Sequence, residues 1–334
     1  MTAAPQRLFG RKAGLLLSSE TQALDLSELE FSFHTHAPDS ETPFHAEIRV
    51  YNLSQEHVNL VTGEFNKVSV QGGYVGDGNY GEVFTGTVKQ YHSGREGVDT
   101  YLDIFATDGD LLHNFGIINT TLAAGSTYGT QLNALNQAAA PYGAKVAPGS
   151  AAPPGGILPR GKVLCGMIRD YASEYAATTG QSWFIENGVI HTVPLTGYRA
   201  GEAVVLTTQT GLLGRPEQTN GGVLATCLMN PKLRTGCLVK IDNKSINKTV
   251  AAKGNPFNIP YNQLAAIEPV QGDNAVDTQF LAQIAADGLY KVLVVEHSGD
   301  TRGHAWQTDL TCIALNASNN SVSPYTVGAQ YGSP

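Results

Sequence analysis

Charge is what this sequence has least of: Asp, Glu, Lys and Arg together make up 15% of its 334 residues. Charge this sparse, beside 42% hydrophobic residues, excludes a coiled coil and a chain too polar to bury a core. Clusters of Lys and Arg are missing and the formal net charge is −8. That excludes phosphate neutralisation as the main task, because nucleic-acid binding needs concentrated positive charge. An acidic surface repels DNA instead, which matters where DNA must pass without sticking. No apolar run approaches the ~18 residues of a membrane span. Leu15-Leu16-Leu17 is too short even for the apolar part of a signal peptide, although Arg7, Arg11 and Lys12 precede it. No membrane insertion and no export by the usual route are expected. The four cysteines, Cys165, Cys227, Cys237 and Cys312, form no CxxC pair. They read as small hydrophobes in a reducing compartment, since three sit inside apolar patterns.

What the sequence does have is glycine, 37 of them, and short β-branched runs, the composition of many strands joined by tight turns. Its length suits about two to three domains. Leu24–Phe33 and Phe44–Tyr51 read as the first strands; in the second, Phe44, Ala46, Ile48 and Val50 share one face and His45, Glu47, Arg49 and Tyr51 the other. Ser54 is placed to cap a short helix through Val61, with Gly63 stopping it. Lys67–Tyr74, Glu82–Tyr91 and Thr100–Thr107 complete a β group. A helix from Ser126 carries Leu132, Leu135 and Ala139 and ends at Pro141. After a loop from Pro148 to Gly161, Val163, Leu164, Met167, Ile168, Tyr171, Ala172 and Tyr175 make an apolar stripe at helical spacing that ends near Gly180. Asn187-Gly188 between hydrophobic runs predicts a type I′ hairpin. Strand character returns with Ala203–Thr208, Gly222–Met229 and Cys237–Asp242, around a loop from Gly211 to Gly222. Lys253–Thr278 is weakly patterned, a short helix is expected at Thr278–Ala286, and the Ser, Asn, Gly and Pro-rich tail reads as an arm.

Leu289–His297 and His304–Ala314 form the clearest hairpin in the chain. Glu82–Asp108 looks like its counterpart: a strand runs into His92-Ser93-Gly94, as the later one runs into His297-Ser298-Gly299, crosses a charged turn and returns. We read the pair as a duplicated β module.

Motifs for chemistry fail on context. Gly76-Asp77-Gly78-Asn79-Tyr80-Gly81 fits G-x-G-x-x-G, but a strand follows where the pyrophosphate motif needs a helix, so it reads as a hairpin loop. His34 and His36 share one face of a strand and His45 could approach from the next one. No Asp, Glu or Cys completes a metal-ligand spacing, and solvated strand histidines are the preferred reading. Asp77, Asp108 and Asp110 lack the calcium-loop pattern and read as turn residues. Ser93 and Ser298 adjoin histidines, but neighbours on a strand point apart and cannot share a proton. Asp170 and Glu174 lie at i and i+4 on a helix and read as a solvated face. The glycosylation patterns at Asn119, Asn247 and Asn316 mean little without export. Trp183, Trp306 and Tyr198 could stack on sugars, though such aromatics in strands are usually core. The expected site is therefore none: no catalytic residue, no cofactor and no metal.

Two stretches resemble the baseplate hub proteins of contractile-tailed bacteriophages. In the first, AEIRVYNLS (Ala46–Ser54), VQGGY (Val70–Tyr74) and VFTGTV (Val83–Val88) through ATDGD (Ala106–Asp110) resemble the family's first tube-like module. In the second, TGLLGRPEQTNGGV (Thr210–Val223), NPKLRTGCLVKI (Asn230–Ile241) and LYKVLVVEHSGDTRGHAWQTDLTCI resemble its second. The resemblance implies a mainly β fold with an α+β insert: two tail-tube-like antiparallel β-barrels (residues 1–110 and 198–316), a small α+β middle domain (111–197) and a C-terminal arm (317–334). It further implies a structural protein of the virion's tail baseplate, assembled in the host cytoplasm. A homotrimer would adapt the sixfold tail tube to the threefold central spike, contact other baseplate proteins and enclose a channel through which DNA passes without specific binding. The alternatives are a tail-associated cell-wall hydrolase and a glycan- or receptor-binding module.

Overall fold

The computed structural model describes residues 10–19, 21–76, 79–147, 156–195, 197–219, 222–242, 245–247, 285, 288–316 and 321–322. The expected helix at 278–286 lies outside them apart from Ala285. So do the stretch 253–278 and the arm, apart from Ser321 and Val322.

The first group of elements is β1 (Arg11–Ser18), β2 (Ala23–Asp25), β3 (Phe31–Pro38), β4 (His45–Tyr51), α1 (Gln55–Glu64), β5 (Lys67–Tyr74), β6 (Tyr80–Glu96) and β7 (Asp99–Thr107). The intervening segment contains α2 (Asp110–Phe115), β8 (Ile117–Leu122), α3 (Tyr128–Ala139), β9 (Lys145–Val146), β10 (Lys162–Met167), α4 (Ile168–Thr179), β11 (Gln181–Glu186) and β12 (Val189–Pro194). The last group is β13 (Val204–Leu206), β14 (Leu212–Gln218), β15 (Val223–Leu228), β16 (Leu238–Ile241), β17 (Leu289–Asp300), β18 (Trp306–Asn316) and β19 (Ser321–Val322). Among the described residues the fold is mainly β, with few helices, and is dominated by one 14-stranded sheet in which every strand pairing but that of β13 with β16 is antiparallel.

Local expectations hold where side-chain alternation or capping decides the structure. In β4 burial alternates as the sequence pattern requires, with Ala46, Ile48 and Val50 in the core. Ser54 caps α1 by accepting a hydrogen bond from the His57 N–H, as expected, but Gly63 does not stop the helix, which runs on to Glu64 and is capped at Phe65. Asn187 and Gly188 take φ of 53° and 68°, the left-handed pair that a type I′ hairpin between β11 and β12 needs. Gly180 ends α4 in the left-handed region.

Other expectations are corrected. Leu24–Phe33 does not open the chain's strands: β1 precedes it, and its alternation buries Leu15 and Leu17 and turns Leu16 outward. The first predicted strand is split: Leu24 lies in β2, and Phe31 and Phe33 open β3. The stripe from Val163 begins as a strand, because β10 pairs with β8 from Lys162 to Met167 before α4 starts at Ile168. The loop from Gly211 contains β14, an edge strand that tolerates Pro216 and carries an irregularity between Leu213 and Glu217.

Sheet order reveals a repeat. The main sheet runs β14-β15-β18-β17-β3-β4-β7-β6-β5-β1-β2, with β16 also on β17. The order β3-β4-β7-β6-β5 therefore recurs as β14-β15-β18-β17-β16, in the same chain order. The long strands β6 and β17 both break register, at Val88/Gln90 and Val292/Val294. Superposing them on those bulges sets His92 against Glu296, so the two His-Ser-Gly words are one residue out of phase. His92 is exposed and His297 is buried, as a one-residue slip on a strand requires.

Behind the sheet lie several apolar clusters. One gathers Phe31, Ile48, Val50, Val70, Leu102 and Ile104 and also takes in Phe184, Met229 and Trp306 from later in the chain. A second surrounds Val223, Val239, Tyr290, Val292 and Cys312. A third joins α3 and α4 to β8, β10, β11 and β12 around Leu135, Leu164, Tyr175 and Trp183. Each fully buried aliphatic or aromatic side chain contributes about 1.5–3 kcal/mol.

Candidate functional surface

One face of the main sheet is packed on the clusters just described; the other is polar along the seam between the strand groups and carries a smaller apolar cluster of Leu238, Leu293, Ile313 and Leu315 toward the start of β17 and the end of β18. Alternation sets this. On β3 the inward residues are Phe31, Phe33 and Thr35, leaving Ser32, His34 and His36 on the opposite face. On β17 the inward Val295 and His297 leave Glu296, Ser298 and Asp300 beside them. Strand pairing turns these into transverse rows. One row reads Thr226, Asp309, Glu296, His36, His45 and Thr107; the next reads Gln307, Ser298, His34, Glu47 and Phe105; a third reads Asp300, Ser32, Arg49 and Asp103.

The seam between the two strand groups, where β17 meets β3, is held on this face by side chains as well as by the ladder. His36 Nδ1 lies 2.7 Å from Glu296 Oε1, and His34 Nδ1 lies 3.0 Å from Ser298 Oγ. The His36 and His45 rings are directly opposite, with centroids 5.1 Å apart. Burial and then the neighbouring His36 hold His45 below the ordinary imidazole range, so the neutral ring is favoured there. Further along, Arg49 grips Asp103 through two hydrogen bonds of 2.6 and 3.0 Å and lies 4.1 Å over the Tyr101 ring. The bonded carboxylate raises the Arg49 pKa. Arg49, Asp103, Glu47, His34, Ser298 and Asp300 line an open hollow of about 390 Å³. Carboxylates outnumber arginine in these rows: they hold Glu47, Asp103, Glu296, Asp300 and Asp309 but only Arg49 of the strong bases.

A second set of polar contacts fixes the α/β segment behind the sheet. Glu186 is 7% exposed and meets Arg199, Arg234 (3.3 Å) and His191 (3.6 Å), while Arg234 also donates to the Glu82 carbonyl at 2.7 Å. One buried carboxylate thus ties the intervening segment to both strand groups. Lys291 and Asp39, 1% and 5% exposed, pair at 2.8 Å nearby. Phe44, Phe184 and His191 stack in sequence, with centroids 5.7 and 5.5 Å apart. Asp108 accepts from the backbone N–H groups of Asn187 and Gly188, anchoring the β11–β12 turn to the end of β7.

The residues singled out in the sequence fall as follows. His34, His36 and His45 do come together, yet among the described residues no group of three or more His, Cys, Asp and Glu is placed to hold a metal. Asp110 pairs with Lys89, and Asp108 is the anchor just described. Gly76 and Asn79 lie in the turn between β5 and β6; Asp77 and Gly78 are outside the described residues. Ser93 is exposed, and Ser298 bonds His34 rather than its neighbour. Glu174 pairs with Lys162 at 3.0 Å and Asp170 with Arg169 at 3.6 Å on the exposed side of α4. Trp183 and Trp306 are buried, bonded to Ser173 and to the Gly73 carbonyl, and Tyr198 packs beside Leu238 and Leu293. None of the three offers an open sugar platform. Cys227 and Cys312 are buried, and burial pushes the Cys227 thiol up to about 12, whereas Cys165 is exposed. Sequence reading missed the row formed by Glu296, Ser298 and Asp300, although their i, i+2 spacing after Val294 carries the signal.

No family model matches this sequence, and no curated protein matches it. Solved structures do. The 43 kDa tail protein of prophage MuSo2 from Shewanella oneidensis superposes with a TM-score of 0.55 at 8% identity, over 93% of this chain and 100% of its own. The tail protein from Neisseria meningitidis MC58 superposes with a TM-score of 0.52 at 12% identity, over 91% of this chain and 97% of its own. At such identities the likeness is one of fold, and the fold is that of phage tail proteins.

Proposed function

We propose that this chain is the structural baseplate hub of a phage contractile tail, resident in the virion and acting without catalysis. The observation that carries this is the repeated strand order, β3-β4-β7-β6-β5 and β14-β15-β18-β17-β16, joined edge to edge in one sheet. Two similar modules in one chain solve a symmetry problem. Three copies place six similar modules in a ring, which seats under a sixfold tail tube while the opposite face presents threefold symmetry to a central spike. In this reading residues 1–110 and 198–316 are the two tube-like modules, each closing as a barrel. Residues 111–197 form the middle domain, pinned by Glu186, and make contacts to other baseplate proteins.

The polar face lines the channel. Its carboxylates, Glu47, Asp103, Glu296, Asp300 and Asp309, repel a passing phosphate backbone, so DNA slides without specific binding. The burial of Trp183 and Trp306 weighs against a glycan-binding module.

Mixing the purified chain with the tail tube protein and the spike protein of the same phage tests the proposal. Co-elution of the chain with each as a ring is expected. Indifference to both, or clearing of peptidoglycan by the chain alone, would overturn it.

A further inference from the structure

The bond between His36 and Glu296 holds the seam, and it also decides which nitrogen of the imidazole is left over. With Nδ1 2.7 Å from Glu296 Oε1, His36 donates its Nδ1 proton to the carboxylate and presents an unprotonated Nε2. Metal-binding histidines are held in this way, with one ring nitrogen on an outer carboxylate and the other free for the ion. Across the ladder His45 faces His36 in register on the same polar face, and the ring centroids are 5.1 Å apart. Two imidazoles on one tetrahedral ion, each nitrogen about 2.0–2.1 Å from it, have centroids roughly 5 Å apart. Among the described residues no group hydrogen-bonds the His45 ring or Nε2 of His36. The His36 side chain is 32% exposed, so an ion can reach it from solvent.

We propose that His36 Nε2 and the His45 ring together bind a borderline divalent ion, of the class of zinc, nickel and copper, with Glu296 as the outer carboxylate. Water fills the other positions. His34 is not a third ligand: its Nδ1 lies on Ser298, and among the described residues no three donors converge. Imidazole selects these ions, whereas calcium and magnesium prefer oxygen donors. Solvated strand histidines need neither a fixed tautomer nor a facing partner; this pair has both. The ion ties β3 to β4 and, through Glu296, to β17, so it clamps the seam between the strand groups. The site stands whether or not the chain is a hub.

The test is calorimetric titration of the full, tag-free chain with zinc chloride at pH 7.5. It is done in a Cys165→Ser background, because that exposed thiol is a zinc ligand in its own right. One zinc per chain is expected. His36→Asn and His45→Asn should each weaken binding by roughly tenfold or more, and Glu296→Gln, which leaves both rings in place, by about tenfold. Calcium and magnesium should give no heat. No zinc binding, or equal affinity in both histidine variants, would overturn the site, and unchanged affinity in Glu296→Gln would overturn the part given to the carboxylate. A second measurement needs no histidine variant to fold. Copper bound to the Cys165→Ser chain should show coupling to two nitrogens in electron paramagnetic resonance, and coupling to one or none would overturn the pairing.

Discussion

At the scale of single residues, buried titratable groups make this protein's stability depend on pH. Burial holds His297 at about 3 and His191 at about 4, both below the ordinary 6.5 of imidazole. The unfolded chain binds these protons and the folded one does not, so the stability is complete above pH 6.5 and is lost as pH falls toward 4. At pH 5 each histidine costs about 2 kcal/mol. Asp108 acts oppositely. Burial raises it from 3.8 to about 6, so the folded state takes up its proton first, and stability is regained as pH falls through 6 toward 4. Melting temperature should therefore fall from pH 7.5 to pH 5 in the wild type, and by much less in His297→Asn, where Asp108 offsets most of the remaining His191 loss; parallel slopes would contradict the assignment. The Lys291–Asp39 pair makes a second residue-scale prediction. Lys291→Met leaves the Asp39 charge buried and should cost about 3–5 kcal/mol in urea unfolding, most of it recovered when Asp39→Asn is added. Residue placement was legible wherever alternation ruled: the shared face of His34 and His36 and the approach of His45 follow from period two. Their bonds to Glu296 and Ser298 were not, because those partners lie some 260 residues away in sequence.

Among the elements, those specified by local chemistry were readable and those specified by their neighbours were not. Ser54 before α1 and Asn187-Gly188 between β11 and β12 dictate structure on their own. β10 does not: Val163, Leu164 and Met167 satisfy a helical stripe as well as a strand, and pairing with β8 settles it. β14 hides in a Gly and Pro-rich stretch because an edge strand has lost the regularity that reading depends on. The docking of the α/β segment is decided at such an element boundary. Gly109 has φ of 64°, and a Cβ there would sit 2.5 Å from Ile185 Cγ2. Gly109→Ala combines an unfavourable backbone with that clash, so a loss of at least ~1 kcal/mol is expected in thermal or urea unfolding. Proteolysis should then cut the 110–195 segment first, if this docking is what holds it to the sheet.

For the whole molecule, duplication and interlocking account for one another. The first apolar cluster borrows Met229 and Trp306 from the later strand group, and β17 completes a sheet begun by β3. The two strand groups are therefore continuous in one sheet and share part of one core. The repeat was legible as a pair of hairpins, though the words that drew attention to it sit one residue out of phase. What identifies the repeat is strand order, which no short motif records. The central claim is that the chain closes into a ring of three. Light scattering on the purified chain across a concentration series tests it most directly. The account predicts a species near three times 35.4 kDa, reached alone or on adding the tail tube or spike protein. A monomer that keeps its mass at every concentration and with both partners present would contradict it.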